Sequence, residues 1–322
     1  MSKTKKIAIA VAIIAMVAGL IIFAGSIFAV GFDFTNLNTT KYETDTHEIK
    51  DNFNSISVNT DTADIVFLPS DDGECKVVCY ERENMKHSAF VKDGVLVIEI
   101  VDEREWYGYI SLFNFDNEKI NVFLPESEYK ALTVEASTGD VRVHEDFKFE
   151  SVDISISTGD INYNASCTGS AELDASTGDI RVENADIGSL KLAVSTGKIN
   201  VKNVNCAGDI NVSVSTGDVK LVNVKSNRLF TKGDTGDISL KSFIAVDKLS
   251  IERSTGDVEI DGCDAGEIYI ETSTGDVSGT VLTDKTFIAD SSSGDIDVPR
   301  ETRGGKCVIK TSSGDIEIRV KK

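Results

Sequence analysis

The sequence predicts an all-β fold: a single-chain parallel β-solenoid of about 10 regular coils, preceded by an N-terminal transmembrane helix. Three observations predict it. A Ser-Thr-Gly-Asp phrase recurs ten times, with glycines at 139, 159, 178, 197, 217, 236, 256, 275, 294 and 314, always 19 or 20 residues apart. A fixed period in that range marks a solenoid. Ile or Val follows the phrase in every copy, from Val141 to Ile316, so each repeat starts a strand at the same place. Finally, Ile7 to Val30 is a run of 24 residues without a charge.

Residues 1–6 hold Lys3, Lys5 and Lys6 and read as a cytoplasmic tail. Residues 7–31 read as the span, because a helix of that length reaches ~36 Å against a hydrocarbon core of ~30 Å. Lysines before it and acidic residues from Asp33 onward place the N-terminus in the cytoplasm and the rest outside. The lipid bilayer is thus the first expected partner. Residues 32–49 are polar and form a juxtamembrane stalk.

Residues 50–130 show short alternating runs such as Asp64-Ile65-Val66-Phe67-Leu68, separated by turn signals at Pro69, Asp71-Asp72-Gly73, Asp93-Gly94 and Pro125. Thr62-Ala63-Asp64-Ile65 is a degenerate copy of the later phrase. This stretch reads as an irregular cap containing the first coils, since a bare first coil would expose strand edges and core.

Residues 131–322 are the regular solenoid. Aliphatic residues precede the phrase at alternate positions, as in Leu190 and Leu192, and follow it likewise, as in Ile180 and Val182. Each repeat then supplies two short strands joined by a glycine bend. The variation between 19 and 20 residues falls to the opposite bend, around 164–170, 185–189 or 203–208.

The glycine-aspartate pairs are Gly139-Asp140, Gly159-Asp160, Gly178-Asp179, Gly217-Asp218, Gly236-Asp237, Gly256-Asp257, Gly275-Asp276, Gly294-Asp295 and Gly314-Asp315. They read as turn chemistry. Glycine permits positive φ or close backbone approach, and the aspartate accepts N–H groups of its own turn. The Thr or Ser before each glycine is expected to point inward. Lys198 replaces the aspartate once and relieves a column of like charges between Asp179 and Asp218.

Calcium needs six to eight oxygens, whereas each coil offers one carboxylate, so no metal or cofactor is expected. Glycoside hydrolysis needs two carboxylates in distinct environments, and near-identical repeats do not supply them. His47, His87 and His144 show no metal-ligand spacing, and phosphate-loop and nucleophile-elbow motifs do not occur. No catalytic residue is expected. A net charge of −20 excludes nucleic acid as a partner. The six cysteines fall too far apart along strands and coils to form disulfides.

One segment breaks the composition. Trp106, Tyr107, Tyr109 and Phe113 stand among acidic residues and are candidates for binding a sugar or a protein partner. At the far end, Glu317, Arg319, Lys321 and Lys322 place charges on the last strand, which would discourage end-to-end pairing.

The STGD-I-x-V repeats, the preceding L-x-I-x strands and the turns at Leu68-Pro69 and Leu124-Pro125 resemble the bacterial β-strand-repeat family labelled "putative adhesin", over roughly residues 50–320. The resemblance implies a β-solenoid on the cell envelope, often membrane-anchored, without established catalytic residues. The function expected is a non-enzymatic, adhesin-like or scaffold module that meets an unknown protein or cell-wall polymer. A sensory or regulatory accessory of a membrane complex is the alternative, and a carbohydrate-active enzyme a more distant one.

Overall fold

The computed structural model describes residues 41–83, 85–102, 118–300 and 303–321, together with Met16 and Gly19. The expected span at 7–31, and Trp106, Tyr107, Tyr109 and Phe113, lie outside the described residues apart from Met16 and Gly19. Among the described residues no helix is long and apolar enough to cross a membrane. Residues 43–103 and 117–322 belong to one unit. It is a parallel β-solenoid of about nine turns.

Each coil has three runs rather than the two that the alternation predicts. In one coil, Ile180 and Val182 face inward, then Ala185 and Ile187, then Leu190, Leu192 and Val194, and all are buried. The second run is too short to register as a period-two pattern. The corner expected to be free is therefore two corners. One is held by a column of left-handed residues, Asn184, Asn203, Asn223 and Ser242, with φ between +52° and +56°, ending at Gly262. Asparagine tolerates that conformation better than other side chains. Its amides also stack: Asn203 Nδ2 donates to Asn184 Oδ1, and Asn223 Nδ2 to Asn203 Oδ1, each at 2.9 Å.

The remaining corner absorbs the length variation. Ser226 pairs with Ala245, yet Arg228 pairs with Lys248, so one coil carries an extra residue there. Val246 is extruded and 76% exposed. The pairing also shifts between Phe149 and Val152, between Cys167 and Ser170, and between Ile260 and Cys263. Along the long strands the register holds, and Val152, Ala171, Leu190, Ile210, Leu229, Leu249 and Ile268 stack in one buried file. Each large aliphatic in such a file contributes about 1.5–3 kcal/mol on burial.

At both ends the coils are not stacked in sequence order. Strands β1 (Tyr42–Ile49), β2 (Ser55–Thr62), β3 (Asp64–Pro69), β4 (Cys75–Arg82), β5 (Met85–Lys92), β6 (Val95–Asp102) and β7 (Lys119–Leu124) build the first end. The β2–β3 coil lies between the β6–β7 coil and the Gly139 coil, so Ile56 pairs with both Leu96 and Leu132. Strands β4 and β5 run antiparallel over β7 and β6, and β1 pairs with β4. The β5–β6 connection is the Asp93-Gly94 turn, with φ of +52° and +77°, the left-handed pair that suits a two-residue hairpin.

At the other end the Gly275 coil stacks on the Gly314 coil, which in turn stacks on the Gly294 coil. The charged last strand, expected to guard an edge, is therefore interior and pairs on both sides. The outermost strands are Lys285–Ser293 and Ile296–Asp297, where Ile288 and Ile296 are 47% and 45% exposed.

All six cysteines are buried and unpaired. Burial pushes the Cys75 and Cys307 thiols up to about 12 and Cys263 to about 11. Only the thiolate reacts, so alkylation of these three at pH 8 should wait on unfolding and should rise with denaturant in step with loss of β-sheet circular dichroism. Rapid labelling of the native protein would contradict this burial.

Candidate functional site

The glycine-aspartate bends form one column in space, running from Ala63 through Gly139, Gly159, Gly178, Gly197, Gly217, Gly236, Gly256, Gly275 and Gly314 to Gly294. A Cβ on Gly178, where φ is +136°, would lie 1.8 Å from the carbonyl oxygen of Gly159. No side chain fits there. The bend amides bond from coil to coil, as where Gly178 N–H donates to the Thr196 carbonyl at 3.0 Å.

The aspartates do not accept from their own turns. Oδ1 of each accepts the backbone N–H of the equivalent residue one coil on: Asp140 from Asp160, Asp160 from Asp179, and Asp179 from Lys198, at 2.9–3.0 Å. The series resumes from Asp218 through Asp237, Asp257, Asp276 and Asp315 to Asp295. Coil stacking carries the next N–H over the carboxylate, which the repeat alone does not reveal. The preceding threonines also depart from expectation. Thr138, Thr158 and Thr177 are exposed, because Ala136, Ile156 and Ala175 take the last inward places before the bend.

Cations offset part of the like-charge column. Arg142 pairs with Asp140 at 2.7 Å, Arg181 bridges Asp160 and Asp179 at 2.9 and 2.7 Å, and Lys198 pairs with Asp218 at 2.9 Å. Burial alone would raise Asp160, but the Asp179 N–H and the Arg181 guanidinium hold its carboxyl below the usual range. Lys198, then the Asp237 N–H, hold Asp218 below it. Apart from Asp295 at the end of the column, each Oδ1 takes a backbone N–H in the same way, so these carboxylates are near-equivalent acceptors.

A second feature lies on the outward face of the long strands. Lys191, Asn211, Phe230, Ser250, Tyr269 and Val308 stand in register on successive coils. Phe230 and Tyr269 are two coils apart, roughly 9.6 Å at the inter-strand spacing, with the small Ser250 between them. Arg228 lies 5.7 Å from the Phe230 ring, and Lys248 and Lys310 lie 5.8 and 5.9 Å from the Tyr269 ring. Beside Phe230 is a depression of about 280 Å³, reached by Lys191, Lys232, Ser250 and Glu252. Sequence reasoning missed this pair because the two rings lie 39 positions apart, each in an ordinary alternating strand. Their signal was an aromatic at an outward position that Thr133, Asp153, Glu172, Lys191, Asn211 and Ser250 fill with polar side chains in other repeats.

Removing one acceptor tests the column. Asp160→Ala leaves the Asp179 N–H without its carboxylate and should cost about 1–3 kcal/mol in denaturant unfolding. Asp160→Asn keeps an oxygen there and loses only a half-exposed ion pair, so it should cost under about 1 kcal/mol. The column also sets an acid limit. Because the folded values of Asp160 and Asp218 lie below the ordinary 3.8, their stabilisation is complete above that pH and is lost as pH falls through the folded values. Melting temperature should therefore be level from about pH 7 to 5 and drop below about pH 4.

A family model described as Toastrack DUF4097 matches residues 53–213 and 205–322. Among solved structures, the chain is 15% identical to a putative adhesin from Parabacteroides distasonis, covering 87% of this chain and 98% of that one, with a TM-score of 0.46. A putative lipid binding protein from the same species is 17% identical, with 88% and 98% covered and a TM-score of 0.46. A putative adhesin from Bacteroides fragilis is 16% identical, with 87% and 97% covered and a TM-score of 0.33. No curated protein matches the chain. The family match spans the stacked coils from Phe53 to the last residue, and on that ground the chain belongs to the Toastrack DUF4097 family.

Proposed function

We propose that the chain is a non-enzymatic, adhesin-like module of the cell envelope. Residues 7–31 would hold it to the membrane with the N-terminus in the cytoplasm, and the outward long-strand face of the solenoid would bind an extended, uncharged wall polysaccharide. The observation that carries this reading is the Phe230–Tyr269 pair, two rings set about two coils apart on a rigid ladder, with a depression between polar groups beside Phe230. Aromatic faces stack on sugar rings while Lys191, Lys232 and Glu252 supply hydroxyl partners. The net charge of −20 favours a neutral polymer over an anionic one. A non-catalytic role fits the aspartates, whose oxygens are engaged in stacking the coils.

Co-sedimentation of the detergent-solubilised full chain with purified cell-wall material tests the reading. The wild type should pellet, and Phe230→Ala combined with Tyr269→Ala should shift at least most of the protein to the supernatant without changing its melting temperature by more than a few degrees. Absence of pelleting, together with capture of a specific membrane protein by the same chain, would instead support a sensory or regulatory accessory.

A further inference from the structure

The first end of the solenoid holds a polar cluster that neither the aspartate column nor the aromatic face uses. Cys79 and Glu81 are two apart on β4, so strand alternation turns both to the same side. His87 meets them from β5, across the corner where Arg82 pairs with Met85. Donor atoms of the three residues lie within 4.8 Å of one another. Cys79 and Glu81 are 0% exposed and His87 is 3% exposed. Glu81 Oε2 accepts the His87 backbone N–H at 2.7 Å and lies 2.7 Å from His87 Nδ1. On its other side, His87 Nε2 is 2.7 Å from the Thr60 hydroxyl. Glu81 Oε1 is buried without a hydrogen-bond partner, and leaving such an oxygen unsatisfied is costly.

We propose that Cys79, Glu81 and His87 form a structural site for a zinc-class divalent cation. The ion takes the place between His87 Nδ1 and the Glu81 carboxylate, and Cys79 Sγ supplies the soft ligand. If the carboxylate binds through both oxygens, Sγ, Nδ1, Oε1 and Oε2 make four donors, the number a closed structural zinc site takes. The unpartnered Oε1 is then satisfied. His87 Nδ1 and Glu81 Oε2, now 2.7 Å apart, must open to roughly 3 Å, and Cys79 Sγ, within 4.8 Å of both, must settle at roughly 3.3–3.8 Å from them, a small adjustment of side chains. Thiolate and carboxylate together neutralise the dication, so no net charge is buried. On binding, the thiol proton leaves to solvent and the imidazole carries its proton on Nε2, where the Thr60 hydroxyl accepts it and fixes the ring. A site this enclosed fills as the end coils fold.

The test uses the full chain, denatured in chelator and refolded with Co²⁺ or Zn²⁺. The wild type should retain one metal per chain after desalting, show thiolate-to-cobalt charge-transfer absorption in the near ultraviolet, and melt higher with Zn²⁺ than with chelator. Cys79→Ser should lose that absorption and the Zn²⁺-dependent shift. Cys75→Ser, which removes a buried thiol outside the cluster, should keep both. A wild type that binds no stoichiometric metal, binds cobalt without thiolate absorption, or shares its absorption with Cys79→Ser would overturn the proposal and leave a plain Glu81–His87 contact. The wild-type measurement decides the matter even if Cys79→Ser does not fold.

Discussion

The close approach of one glycine bend to the next governs the architecture. A carbonyl oxygen sits where a Cβ would be, 1.8 Å from the ideal position at Gly178 and 2.1 Å at Gly159 and Gly256. Only a residue without a side chain lets the coils stack at strand spacing, and only at that spacing can the aspartate of one coil reach the N–H of the next. Core packing depends on the same contact, because the inward aliphatics of each coil are covered by those above and below.

That contact imposes an electrostatic condition. Repeating a carboxylate every ~4.8 Å accumulates repulsion, and the structure meets it with backbone donors at every step but the one after Lys198, and with Arg142, Arg181 and Lys198 along the first half. A further cation enters from within. Arg253 occupies an inward position that other coils give to Ala136 or Val194, and its guanidinium donates to the carbonyls of Val214 at 2.9 Å and Gly217 at 3.1 Å. Gly233 makes room for it, since a Cβ there would lie 1.9 Å from Arg253 Nη1.

Much of the fold was legible because repetition multiplies a weak signal. Ten glycines and ten following aliphatics fix one corner and the strands on either side of it. The middle run was not legible, as two inward residues such as Ala185 and Ile187 are too few to show a period. Nor was the partner of each aspartate, since N–H groups of its own turn lie one or two residues away in sequence whereas the one it accepts lies 19 or 20 away and comes near only when the coils stack. The order of the end coils was hidden for the opposite reason: repeats this alike pair acceptably in more than one order, and nothing local says that the Gly314 coil precedes the Gly294 coil in space. The Cys79–Glu81–His87 cluster escaped a search for metal-ligand spacing because a strand corner, and not a helix or knuckle, brings its members together.

The insertion of the final strand has a mechanical consequence. Ile316–Val320 carries a ladder on each side, over five residue pairs against Val277–Val281 and two against Ile296–Asp297. A pull on that strand therefore loads it in shear between two neighbours, where several bonds must fail together, and does not peel a free edge one bond at a time. Tension on it is shared between two coils, and the outermost coil is clasped by the very strand that follows it in the chain.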